Sequence, residues 1–198
     1  MDRITPFDIV VVLALLGMFI VGYAQGVVRR LLGIAAILFA IVFGAYLRAP
    51  LGAYLADQWT TIDERYSFMV AFGGAFAATA IALSIGIQMT YRPAPLFQKY
   101  PVLDEILGGL LGVLEGVIIL TAIVLILDPY FTQPEIRETA GFGEFGLLRM
   151  LFTFFDQSLT GDILRHSVIP AILAVFGFLF PQDVKDAFRT ALAGVARR

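Results

Sequence analysis

The sequence predicts an all-α fold: a polytopic transmembrane bundle of four helical spans, followed by an interfacial amphipathic C-terminal helical tail. Three observations predict it. The 198-residue chain is 59% hydrophobic and only 15% charged, where soluble domains average roughly 25% charged residues. A soluble chain of this size has too little interior to hide so much apolar side chain. The apolar residues also gather in long runs rather than alternating with polar ones. Finally, the character changes after Asp128-Pro129, where charges return and apolar stretches shorten. The reading divides the chain into a four-helix domain, 1–127, and a tail, 128–198.

The four spans are expected at about 7–24, 31–47, 66–91 and 106–127. A spanning helix needs about 20 apolar residues, and an open backbone cannot cross lipid in any other form. The first run begins at Phe7, with Asp8 at its edge. A cleavable leader is the alternative there, but Asp2 and Asp8 beside Arg3 spoil the positive n-region such a leader carries. The first helix is therefore expected to be retained. Gln25 to Arg30 is a very short connection and predicts a tight antiparallel pair of helices one and two. Arg48 to Arg65 holds Pro50, Trp59 and several acids, and reads as the second connection. Arg92-Pro93-Ala94-Pro95 closes the third helix, because proline cannot extend it. Pro101 and Asp104 open the fourth, where an acid in the first turn is favoured.

In the tail, Val168 to Phe180 is apolar but only about 13 residues long, short for a span. A fifth span near 163–180 is the alternative. Asp183 to Val195 shows helical spacing of apolar residues, with Lys185, Asp186 and Arg189 on other faces. That is a surface helix, fit to lie on a membrane or on the bundle.

Small residues recur at close-packing intervals. Gly74, Ala78, Ala82 and Gly86 form one stripe, Gly108, Gly112 and Gly116 another, and Gly22 and Gly26 a shorter pair. In lipid, helices gain no hydrophobic energy by touching, so small side chains mark close approach. Packing within one bundle is the plain reading, and oligomerisation or a mobile gate the functional one. Glu115 is the outstanding single residue, because it lies inside the fourth run. A charge there costs at least about 2.5–3.5 kcal/mol and calls for a partner, a proton or water. Two roles are open: a site for a proton, cation or polar substrate, or a carboxyl that fixes helix packing. Gln88, Thr79, Ser84 and Thr121 are the intramembrane polar residues expected to partner it.

Enzyme chemistry finds little support. His166 is the only His, and the adjacent Ser167 is poorly placed to be served by it. No nucleophile-elbow, zincin or P-loop spacing occurs. One His and no Cys give no metal set, and no cofactor motif is present. A net charge of −2 leaves no footprint for nucleic acid.

Three elements carry a family likeness. Phe7-Asp8-Ile9 opens a helix running to Gln25-Gly26-Val27-Val28-Arg29-Arg30, in which Gly26 and Arg29 match an Arg-Gly-x-x-Arg-Glu turn. Asp104 leads to Gly108, Gly112 and Gly116, and on to Leu127-Asp128, similar to an Asp-x-x-x-Gly entry into a last helix. Ser167-Val168-Ile169-Pro170 is similar to a Ser-x-Ile/Leu-Pro element. In this order the chain resembles the colicin V production protein (CvpA) family of bacterial inner-membrane proteins. At the position before Gly116 the family often carries Arg or Lys, where this chain has Glu115. The resemblance implies a multi-pass, non-enzymatic inner-membrane protein that supports colicin V (toxin) production or export and envelope function. Its partners would be the lipid bilayer, a second copy, or envelope and export proteins. A small oligomeric transporter or channel with Glu115 in its path is the alternative. Arg29-Arg30 in a tiny loop places that loop in the cytoplasm, and both termini on the periplasmic side.

Overall fold

A computed structural model describes residues 4–59, 64–91, 96–97, 100–131 and 153–186. Every element in it is helical: α1 (Pro6–Gln25), α2 (Val27–Gln58), α3 (Glu64–Thr90), α4 (Pro101–Phe131), α5 (Leu159–Ile163) and α6 (Ile169–Phe176). A π-helical turn, Leu164–Val168, joins α5 to α6, and a 3₁₀ turn, Gly177–Leu179, follows α6. The segment Arg92 to Pro95, most of the run 145–155 and residues 187–195 of the expected tail helix lie outside the described residues.

The helices overrun the expected spans wherever a polar flank hides a helical backbone. α1 starts on an N-cap, Thr5, whose hydroxyl accepts from the Asp8 amide while the Asp8 carboxylate accepts from the Thr5 amide. This reciprocal cap satisfies two of the amides that a helix start leaves open. α2 carries on through Arg48 and Pro50 to Gln58. The stretch read as the second connection is therefore largely helix, with Pro50 costing one backbone hydrogen bond on the way.

Helices α1 and α2 do not form the expected tight pair. They meet only at Gly26, whose φ of 75° is open to glycine and strained for other residues. Beyond that corner α4 lies between them. Gly22 faces Gly108, the Met18 carbonyl faces Gly112, and Leu15 faces Gly116, so α1 and α4 run antiparallel. A methyl on Gly108 would sit 2.6 Å from the Gly22 carbonyl oxygen and 2.9 Å from the Gly26 backbone. The backbones touch because no side chain intervenes, which is how helices associate closely in lipid. Gly108→Ala should destabilise the fold by about 1–3 kcal/mol, as overpacking does. Thermal unfolding in detergent micelles would show the loss.

On its other side α4 packs parallel to α2. Gly33 stands opposite Glu115 and Arg48 opposite Tyr130, a constant offset along both helices. α3 then packs antiparallel on α2. The Phe72 ring and the Phe76 backbone fill the space left by Gly44, and the Phe68 ring that left by Gly52. Phe68, Phe72, Phe76 and Ala80 recur every four residues and so share one face of α3. Of the two readings of the small stripe on α3, packing within this bundle is not found. Gly74, Ala78, Ala82 and Gly86 occupy the opposite, exposed face, and nothing lies within 4 Å of a methyl built on Gly74 or Gly86. Large side chains entering the gaps of α2 decided the register, and the small residues were turned outward.

Among the described residues, five helices are long and apolar enough to cross a membrane: Pro6–Gln25, Val27–Gln58, Tyr66–Thr90, Pro101–Asp128 and Leu159–Leu179. The fifth is longer than its apolar run because it begins upstream, through Asp162 and Arg165. Its placement differs from that of the other four. Thr160 bonds Asp8 at the start of α1, Arg165 bonds Asp128 near the end of α4, and Asp183 bonds Arg48 late in α2. By the pairing of α1 with α4, Asp8 is level with the region of Ala122, while Arg48 is level with Tyr130. The first and last of these contacts are thus only about 12 Å apart in height, where a 21-residue helix is about 30 Å long. Residues 159–183 lie across one end of the bundle as a crossbar.

Candidate functional site

The crossbar is held by a cluster of charged and polar groups built from both ends of the sequence. Asp128 ends the apolar run of α4 and is fully buried, with no exposed surface. Arg165 clasps it with two hydrogen bonds, Nε to Oδ2 at 2.8 Å and Nη2 to Oδ1 at 2.7 Å. The remaining arm of Arg165, Nη1, donates to Asp156 at 2.8 Å. Its guanidinium also lies 4.9 Å over the Phe155 ring, a favourable cation–π placement. Phe155 in turn meets Phe7 of α1 edge-to-face, with centroids 5.7 Å apart. The guanidinium thus uses its planar fork on one carboxylate and its face on a ring, a geometry lysine cannot copy.

The local backbone explains how Arg165 reaches inward. Pro170 has no amide hydrogen and its ring crowds the carbonyl four residues back. The preceding turn widens: the Ile169 amide donates to the Leu164 carbonyl, five residues away. Such a turn holds an extra residue, and the neighbours Leu164 and Arg165 both face the bundle, 3% and 2% exposed. Pro170, singled out in the sequence, therefore shapes this turn, and Ser167 lies exposed within it. His166 turns outward, its Nδ1 3.1 Å from the Asp162 carbonyl oxygen and 2.9 Å from the Asp162 carboxylate. Both side chains are at least half exposed, so that pair adds little stability.

Two further fasteners flank the clasp. Asp8 accepts from the Thr160 amide at 2.8 Å and the Thr160 hydroxyl at 2.7 Å, while holding Thr5 with its other oxygen. Hydrogen bonds to a charged group contribute about 1.5–3 kcal/mol, so Asp8→Ala should loosen the start of the crossbar by about that much. Faster trypsin cleavage after Arg165 in micelles would report it. At the far end, Arg48 donates to the Tyr130 hydroxyl at 3.0 Å and to Asp183 at 2.6 Å. Burial pushes the Tyr130 phenol above its ordinary value, so it stays a neutral hydroxyl toward Arg48.

A separate ion pair lies within the bundle. Arg30, one turn into α2, donates from Nη1 to Glu115 Oε2, and both residues are buried. Gly33 makes the room, since a methyl there would meet Glu115 Oε1 at 2.7 Å. The Arg30 Nε has no hydrogen-bond partner among the described residues. The partners expected for Glu115 are corrected accordingly. Gln88 is exposed, and the Thr121 hydroxyl donates to the Val117 carbonyl of its own helix at 2.8 Å. Neither these nor Thr79 and Ser84 of α3 take the role, because α2 rather than α3 covers this face of α4. Arg30 looked like a loop charge because its flank is polar. The run of Leu31 onward could have signalled that its helix begins earlier.

At the opposite end of the bundle, Asp104 is buried beside Gly26 and accepts from the Leu96 amide at 3.0 Å. Arg29 sits partly buried on the first turn of α2. Among the described residues, no three His, Cys, Asp or Glu side chains gather where a metal ion could sit.

The family model described as "Colicin V production protein" matches residues 7–142. The chain belongs to the colicin V production protein family. No curated protein and no solved structure matches it. The family region contains Asp8, Gly26, Asp104, Gly108, Glu115 and Asp128, so both sides of the Arg30–Glu115 pair and of the glycine contact lie within it. The clasp is divided differently in this family member. Asp128 of the clasp and Asp8 of its flanking fastener lie inside the matched region, and Asp156, Thr160 and Arg165 lie beyond it. In this family member multiple apolar helices form a membrane bundle that is all-helical among the described residues, and described residues after the family region are tied to it by Asp8, Asp128 and Arg48.

Proposed function

We propose that the protein is a non-enzymatic component of the bacterial inner membrane that supports colicin V production or export and envelope function. It acts by offering a formed surface at one end of its bundle to envelope or export proteins, or to a second copy. The clasp carries this reading. Asp8 and Asp128 are spent on holding a crossbar rather than on a reactive centre, and the crossbar's outer face, with Asp162 and His166, is left free for contact. The four-span reading is favoured by the crossbar, whose two ends stand at one end of the bundle. Arg29 at the Gly26 corner supports a cytoplasmic corner, with both termini and the crossbar on the periplasmic side.

A photoreactive residue at Asp162 tests this in native membranes. A discrete protein adduct, lost when residues 153–198 are removed, is the expected result. Absence of any adduct, with secretion of colicin V unaffected by that removal, would defeat the proposal. The alternative, a transporter with Glu115 in its path, has less behind it, because Glu115 is already neutralised by Arg30. Ion flux into proteoliposomes that disappears with Glu115→Gln would reverse that preference. Reporter fusions at Gln25 and Gln98 test the orientation, and a periplasmic signal from either overturns it.

A further inference from the structure

The outward face of α3 is recessed along its C-terminal half. There Ala82 and Gly86 form the floor of a groove of about 450 Å³, and Leu32 of α2 with Leu83 and Ile87 of α3 complete its apolar lining. Thr90 and Tyr91 stand at its end. The space exists because two small side chains lie among large ones, and nothing is within 4 Å of a methyl built on Gly86. Such a volume is in the range of small-molecule sites, roughly 300–1,000 Å³. Neither the clasp nor the Arg30–Glu115 pair uses it.

The dimensions of the groove are those of one acyl chain. From Ala82 to Tyr91 a helix rises about 14 Å, close to half of the roughly 30 Å hydrocarbon thickness. Tyr91 ends the apolar run of α3, and a tyrosine at such a border settles at headgroup level. The groove therefore extends from one membrane border to about the middle of the bilayer. Spread over that length, its volume gives a channel roughly 6 Å across, against about 10–12 Å for a helix with its side chains. A second helix is too wide to enter it, and a single hydrocarbon chain is not.

The border end also supplies a charge. Gly44 lies opposite Phe76 and Gly52 opposite Phe68, and the same antiparallel offset puts Arg29 level with Tyr91. Arg29 is one turn before Leu32 on the same face of α2. Side chains of a helix lean toward its N-terminus, which here is away from the membrane centre. Arg30 is taken by Glu115, whereas Arg29 is half-buried and has neither hydrogen bond nor ion pair among the described residues. A guanidinium binds a phosphate through two parallel hydrogen bonds, and the Thr90 hydroxyl offers a donor at the same level.

We infer that this groove holds one anionic phospholipid of the surrounding leaflet, with an acyl chain over Ala82 and Gly86 and its phosphate at Arg29.

Gly86→Leu tests this, because the leucine enters the groove while the open space above that glycine leaves the bundle intact. Ala82→Leu obstructs the same groove one turn deeper and serves as the second variant. The full chain is delipidated in mild detergent and offered dioleoylphosphatidylglycerol or dioleoylphosphatidylcholine. Native mass spectrometry then counts the lipid retained. The parent should keep one phosphatidylglycerol per chain, and several-fold less phosphatidylcholine. Both leucine variants should lose that lipid, with an unfolding temperature no lower than the parent's, since leucine favours a helix over glycine. Arg29→Gln should retain the two lipids alike. A parent that keeps no lipid, or leucine variants that keep as much as the parent, would overturn the inference. So would a parent that is dimeric and becomes monomeric with Gly86→Leu, because a second copy would then cover this face. An undiminished phosphatidylglycerol preference in Arg29→Gln would overturn the assignment of the phosphate. None of these outcomes depends on which protein crosslinks to Asp162.

Discussion

Asp128→Ala is expected to release the C-terminal segment from the bundle. The substitution leaves the Arg165 guanidinium, 2% exposed, with its two strongest hydrogen bonds gone. Removing one partner of a buried ion pair costs about 3–5 kcal/mol, because the other charge stays desolvated. Asp156 still accepts from Nη1 and is itself more exposed, so the loss should fall at the lower end of that range. Limited proteolysis in micelles should show residues 153–186 cut far faster than in the parent, with the four-helix part intact. The double variant Asp128→Leu/Arg165→Met removes both charges and should recover most of the protection, since burying matched apolar groups is close to neutral. If the double variant is cut as fast as the single, the clasp does not hold the crossbar.

The second large effect is expected at the pair within the bundle. Glu115→Ala strands the Arg30 cation between α2 and α4, again at a cost of about 3–5 kcal/mol. Thermal unfolding in micelles should show it across the whole bundle, since α4 contacts both α1 and α2. Arg30→Met/Glu115→Met should regain most of the stability. Gly33→Ala offers an independent check. Its methyl would meet the carboxylate at 2.7 Å, so it should destabilise the parent but have little effect once Glu115 is alanine. Additive losses in that double variant would show that Gly33 acts elsewhere.

The sequence made some parts of this site legible. Asp8, Asp104, Asp128, Ser167 and Pro170 stood out by resemblance; the three aspartates lie at contacts between elements, and Ser167 and Pro170 are exposed on the crossbar. Glu115 stood out because hydropathy explains charges at borders and not inside a run. Its partner did not, because Arg30 sits one turn from Gly26 and reads as a loop residue. Arg165 was hidden for a related reason. It lies beside His166, just ahead of the stretch 168–180 that reads as short for a span, and only the π turn before Pro170 aims it inward. The stripe on α3 packs on no other helix of this bundle, because small residues show where close approach is allowed, not where it occurs.

The division follows from the range of the forces. Transfer of side chains into lipid depends on each residue and its near neighbours in the chain, so hydropathy alone determined an all-helical membrane protein with four long apolar runs. The pairs that tie it together link residues 85 positions apart in the case of Arg30 and Glu115, and 37 in the case of Arg165 and Asp128. Which of the scarce charges meet depends on the order of helices around α4 and on where glycines let backbones touch. Only packing settled those matters, along with the crossbar's position at one end of the bundle, because a helix long enough to span is held by its side-chain contacts and not by its length.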